Sequence, residues 1–157
     1  MAADPPGPAR PRFHLAFGVH DLSAARRFYG GVLGCPQGRS SDRWVDFDLW
    51  GHQIVAHLVD TPDGDRHDGE GGTDRVAATN PVDGDDVPVP HFGLLLEVGD
   101  WHVLADRLAS HEVDFVIDPH VRFDGEPGEQ HTMFVRDPSG NVLEFKAFAD
   151  DGQVFAT

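Results

Sequence analysis

Apolar and polar residues alternate through RFHLAFGV, residues 12–19, with Phe13, Leu15, Phe17 and Val19 on one side and His14, Ala16 and Gly18 on the other. That period of two predicts a strand. In DLSAARRFYGGVLG, residues 21–34, the spacing changes to that of a helix, with Leu22, Ala25, Phe28, Tyr29 and Val32 on one stripe, Asp21 as N-cap and Gly34 as stop. Three strand-like pieces follow: a short one after Cys35, then RWVDFDLW, then HQIVAHLV. The order then repeats. HFGLLLEV reads as a strand and DWHVLADRLASH as a helix capped by Asp100, with Trp101, Leu104, Ala105 and Leu108 facing inward. The strands VDFVIDPHVRF, QHTMFVR and NVLEFKAF complete it, the last two joined by the turn DPSG.

Each half is therefore β-α-β-β-β, an α+β pattern whose single helix covers one face of its four strands. The uncovered faces of the two sheets are expected to combine into a cup. Parity decides which residues reach it. His14 enters from the first strand beside Ala16 and Gly18, whereas Phe13, Leu15 and Phe17 go to the helix. Gln53, Val55 and His57 enter from HQIVAHLV, and His91, Gly93 and Leu95 from HFGLLL. From NVLEFKAF come Val142, Glu144, Lys146 and Phe148. The first and last strands of both halves thus each bring one candidate ligand, and imidazoles with a carboxylate suit a divalent transition metal.

Composition narrows the partners. A chain of 157 residues with 39% hydrophobic residues suffices for one domain with a real core or two fused modules, and no apolar run is long enough to span a bilayer. The formal charge of −15 argues against nucleic acid and against anionic membrane surfaces. Cys35 is the only cysteine, which excludes an intrachain disulfide and a cysteine-based zinc site, and it reads as a small buried hydrophobe. The opening MAADPPGPARPRF lacks a hydrophobic signal core, so residues 1–11 are expected to be a disordered tail of a cytoplasmic protein. The expected domain runs from 12 to 148, with module one at 12–60, a loop at 61–88 and module two at 89–148, followed by a tail at 149–157.

FHLAFGVHDLSAARRFYGGVLG, HFGLLLEVGDWHVLADRL and DPSGNVLEFKAF resemble the vicinal oxygen chelate superfamily, which includes glyoxalase I, extradiol dioxygenases, methylmalonyl-CoA epimerase and bleomycin and fosfomycin resistance proteins. The resemblance covers residues 12 to 148 apart from much of the central loop. It implies His14, His91 and Glu144 as ligands of a divalent metal, Fe²⁺, Ni²⁺, Co²⁺, Mn²⁺ or Zn²⁺, and a homodimer with a small-molecule substrate. His57 departs from the family pattern, where Glu or Gln is usual. It is read either as a fourth metal ligand or as a catalytic base or hydrogen-bond partner beside the site. With His57 as ligand the resemblance favours isomerase or lyase chemistry, and without it ring cleavage by a dioxygenase. The alternative is metal-independent sequestration of a drug or toxin, as in bleomycin-resistance proteins.

Other residues are weaker candidates. His131 is read as either a general acid or base or an exposed histidine, its side of the sheet depending on where its strand begins. Arg122 is read as holding an anionic substrate group or as forming an ordinary surface ion pair. Asp46, Asp48 and Lys146 are expected simply to meet water, and His20, His52, His102, His111 and His120 get a surface reading. The polar stretch from Asp60 to Val87 exceeds the ~12 to 15 residues usual for unstructured loops, which suggests a lid, a dimer arm or a linker, and His67 within it is not expected to bind metal.

Overall fold

The computed structural model describes residues 11–60 and 78–155. The tail through residue 10, residues 61–77 with His67, and the last two residues lie outside them. Module one contains β1 (His14–Val19), α1 (Leu22–Ala25), β2 (Gln37–Ser40), β3 (Trp44–Leu49) and β4 (His52–Leu58). After the hairpin β5 (Ala78–Val82) and β6 (Asp85–Val89) comes module two: β7 (Phe92–Leu95), α2 (Val98–Ser110), β8 (Phe115–Arg122), β9 (Gln130–Arg136) and β10 (Val142–Phe148). The two four-stranded sheets have the same order, β1-β4-β3-β2 and β7-β10-β9-β8. In both, the first strand is an edge paired in parallel with the last. The β-α-β-β-β repeat read from the periodicity is the architecture.

Asp21 caps α1 as expected, accepting the Ala24 N–H at 2.9 Å, and that bond is the main cause of its lowered carboxyl pKa. The helix then widens into a π-helical segment, Arg26–Val32, closed by Leu33 N–H donating to the Phe28 carbonyl at 2.9 Å. Gly34 follows with φ of +79°, the left-handed stop its position required. The second helix corrects the expectation: α2 begins at Val98 with Glu97 as N-cap, and Asp100 lies in its first turn, where a carboxylate favours the positive end of the helix dipole.

One core joins the modules through their helix-bearing faces. Tyr29, Phe47, Ile54, Leu108, Met133, Leu143 and Phe145 are all fully buried in it, each contributing roughly 1.5 to 3 kcal/mol where aliphatic or aromatic surface leaves water. Phe17 touches Phe92 across the modules at 5.2 Å between ring centroids. Arg107 on α2 donates to the carbonyls of Val32 and Gly31, and Asn141 Nδ2 donates to the Gly18 carbonyl. Tyr29 donates its hydroxyl to Asp137 at 2.8 Å, and burial together with that carboxylate drives the phenol pKa far up. Burial, with Asp48 adding to it, pushes the Cys35 thiol up to about 12, in keeping with an inert core residue. Phe13, assigned to the helix face by parity, is instead 58% exposed because it precedes the first strand.

The faces opposite this core carry the candidate ligands, and since the helix-bearing faces meet, these faces turn away from the shared core. The β5–β6 hairpin lies on that face of module two, with Val87 clustered with Phe134 and Val142 and with Val82, Val116 and Ile117 packed against that cluster. No helix among the described residues is long and apolar enough to cross a membrane.

Candidate functional site

Glu144 sits on β10, between β7 and β9, and is buried at 7% exposure. A carboxylate so placed must be compensated, because a bare buried charge costs several kcal/mol. Thr132 Oγ1, from the neighbouring strand, donates to Oε1 at 2.9 Å, and Arg122 Nη1 stands 3.7 Å from the same oxygen. The other oxygen, Oε2, faces His91 Nε2 at 3.1 Å and Lys146 Nζ at 3.7 Å. One oxygen is thus anchored to the fold and the other points into the open face.

His91 is held from behind. Its Nδ1 lies 2.6 Å from the Pro88 carbonyl, at the end of the hairpin, and its ring meets Phe134 edge-on at 5.1 Å. A carbonyl only accepts, so the hydrogen resides on Nδ1 and Nε2 is directed at Glu144. Gly93 makes the approach possible: a Cβ there would lie 1.6 Å from the Glu144 backbone oxygen.

His14 repeats this arrangement in module one. Its Nδ1 donates to Gln53 Oε1 at 2.8 Å, its cross-strand partner, again leaving Nε2 outward. Gln53 Nε2 donates to Asp46 Oδ2 at 3.2 Å, and Arg39 Nε approaches that oxygen at 3.6 Å. Asp46, expected only to meet water, is buried at 7% and forms part of this relay. His14, Gln53 and Asp46 line an open cleft of about 590 Å³.

The register identifies a residue that sequence reasoning missed. Glu144 pairs with Gly93, two residues after His91; the residue pairing with Ala16, two after His14, is Val55. Val55 thus occupies in module one the place of Glu144 in module two. His57 pairs with Gly18, four positions along β1 from His14, which is roughly 13 Å at the rise of a strand. It is exposed on the same face as Gln53.

His131 lies on the other side of its sheet from Glu144. Its neighbours are Trp101 and His102 on α2, with ring centroids at 5.1 and 5.2 Å, and burial followed by the nearby His102 lowers its pKa. Arg122 is 3% exposed and donates from Nε and Nη2 to Asp85 Oδ2 at 2.9 and 2.7 Å. His120 also approaches that carboxylate, at 3.0 Å. Lys146, expected to meet water, borders Glu144.

These donors fit half of a metal centre. A neutral imidazole with hydrogen on Nδ1 presents a lone pair at Nε2, so the 3.1 Å contact sets two electron-rich atoms face to face unless a cation or a proton lies between them. A divalent cation there would be held by His91 Nε2 and Glu144 Oε2, an imidazole and a carboxylate donor. Among the described residues no three His, Cys, Asp or Glu side chains of one chain come together as a metal cluster. His14 is not brought to His91 and Glu144 within the chain.

The fold agrees with what the chain is similar to. It is 32% identical to a glyoxalase/bleomycin resistance protein/dioxygenase from Alicyclobacillus acidocaldarius, covering 92% of this chain and 96% of that one with a TM-score of 0.70. A lactoylglutathione lyase from Agrobacterium tumefaciens shares the fold at 17% identity, with coverage of 96% and 100% and a TM-score of 0.59. So does a fosfomycin resistance protein from Listeria monocytogenes at 14% identity, with coverage of 88% and 93% and the same TM-score. No curated protein matches in sequence. Residues 13–145 match the profile of the Glyoxalase/Bleomycin resistance protein/Dioxygenase superfamily, and the chain belongs to that superfamily.

Proposed function

We propose that this chain is a divalent-metal-dependent enzyme that binds a small oxygen-bearing substrate through two oxygens, and that it works as a homodimer. His91 and Glu144 of one subunit and His14 of the other hold the metal. The observation that carries this reading is the His91 Nε2–Glu144 Oε2 pair, 3.1 Å apart and fixed from behind by the Pro88 carbonyl and Thr132. His14, with Nδ1 tethered in the same manner, supplies the third donor.

Val55 at the fourth position leaves two histidines and one carboxylate, the set that suits iron(II) with open positions. Of the reactions open to the superfamily, this favours oxygen-dependent ring cleavage over isomerase or lyase chemistry. When bound, the metal supplies Lewis acidity toward the substrate oxygens and, as iron, a place for dioxygen. The chain's own residues do the rest. Thr132 and Arg122 keep Glu144 Oε1 turned into the fold, and Gln53 and Asp46 orient His14, while His57, four residues beyond Gln53 on β4, stands apart from them.

The test is the metal content of protein purified without oxygen or chelators, measured by elemental mass spectrometry. Near-stoichiometric iron in the wild type, lost in His14→Ala, His91→Ala and Glu144→Ala while circular dichroism is retained, is the expected result. A wild type that neither carries nor takes up iron, nickel, cobalt, manganese or zinc removes the metal reading and leaves sequestration of a small molecule in its place.

A further inference from the structure

We propose that Lys146 is the group that receives an anionic oxygen of the substrate, so that the site takes a small chelating carboxylate rather than a neutral molecule. The inference rests on the metal reading above. Two cations stand near Glu144, and the structure gives them different work. Arg122 is only 3% exposed, tied through two nitrogens to Asp85, and directed at the oxygen that Thr132 also holds. Lys146 has a side chain 32% exposed, and its ammonium stands 3.7 Å from Oε2, the oxygen that faces His91. It follows Glu144 by two positions on β10 and so shares its face, flanked across the strands by Thr132 and Leu95.

Local charge points the same way. Asp85 offsets Arg122, and Glu144 offsets Lys146. A divalent cation then adds positive charge that none of these four groups neutralises, and it draws Glu144 Oε2 away from the ammonium. From the opposite wall, a second copy would bring His14, an Asp46 already engaged by Arg39, and Asp48, which accepts the Gly51 N–H. A bound anion restores the balance. Because the whole chain carries −15, anions are repelled at long range, and selection for one has to come from a cation inside the site. A lysine, with a compact charge on a flexible stem, can turn from Glu144 to such a ligand without rearranging the sheet.

Glycolate and glycolamide provide the test, since they offer the same pair of oxygens with and without a negative charge. Both are titrated into cobalt-loaded protein and followed by the visible absorption of the metal. We expect Lys146→Met to weaken glycolate about tenfold, equivalent to about 1.4 kcal/mol, while glycolamide affinity stays within about twofold and cobalt affinity does not fall, and Lys146→Arg to recover most of the loss. Unchanged glycolate affinity in Lys146→Met, equal weakening of both ligands, or no glycolate binding to the cobalt-loaded wild type overturns the assignment. Failure of the wild type to hold cobalt overturns the metal reading instead, and is seen before any ligand is added.

Discussion

Two residues with no chemistry of their own decide whether Glu144 can work. Gly93 lets β7 lie against β10 at the level of the carboxylate, and any side chain there meets the Glu144 backbone oxygen. Gly93→Ala is therefore expected to lower stability by about 3 kcal/mol and to abolish metal uptake at temperatures where the variant is still folded, read by denaturant melts beside metal titration. A variant with both properties intact would show that β7 shifts freely, against the geometry described. Val55 is the second such residue, since in the proposed metal site an apolar side chain at the place equivalent to Glu144 would set the ligand count. Parity in the sequence was enough to put His14, His91 and Glu144 on the helix-free faces. It did not reveal Val55, because the equivalence comes from the parallel register of β4 on β1, which no local pattern encodes. His131 was undecided for a related reason: once its strand begins at Gln130, its side chain falls with Met133 and Val135 against the helix.

At the scale of elements, the hairpin β5–β6 is what the sequence reading passed over. The signal was present in PVDGDDV. Asp83 and Gly84 take φ of +45° and +87°, the left-handed pair of a two-residue turn for which Asp-Gly is a strong marker. The stretch reads as loop because its strands, ATNPV and DDVPV, contain proline and acids, and a two-stranded ribbon has little face to bury. What it does bury is functional in position. Val87 covers Phe134 and Val142, Pro88 anchors His91, and Asp85 holds Arg122 behind Glu144. Replacing Asp85 with Asn leaves a nearly buried guanidinium without its partner, at a cost of about 3 kcal/mol. That uncompensated charge beside Glu144 opposes a cation, so metal affinity should fall about tenfold as well. The double variant Asp85→Asn with Arg122→Met is expected to regain most of the affinity by calorimetric titration. If the double variant binds metal as poorly as the single one, Arg122 is needed for more than charge balance.

For the whole molecule the question is how two outward faces make one site. The β-α-β-β-β repeat was legible from periodicity alone, whereas the joining of uncovered faces into one site belongs to the proposal above. The sequence contains no term for which copies combine, because the residues that pack module on module, such as Phe17 on Phe92 and Tyr29 on Asp137, read simply as core or turn. With helix-bearing faces joined inside one chain, the proposed metal site needs a second chain to bring His14 to His91 and Glu144. A mixture tests this directly. His14→Ala and Glu144→Ala homodimers each lack a ligand at both sites, so neither should bind iron. In a heterodimer of the two, one site receives the intact His14 of the Glu144→Ala chain and the intact His91 and Glu144 of the other, while the second site carries both lesions. Co-expression with two affinity tags should therefore recover about one iron for every tagged heterodimer. Recovery cannot arise if each site lies within one chain, since both chains are individually defective. A purified heterodimer that remains metal-free, or a wild type that sediments as a monomer while holding iron, would place the site within one chain and require the modules to reopen their shared core to build it.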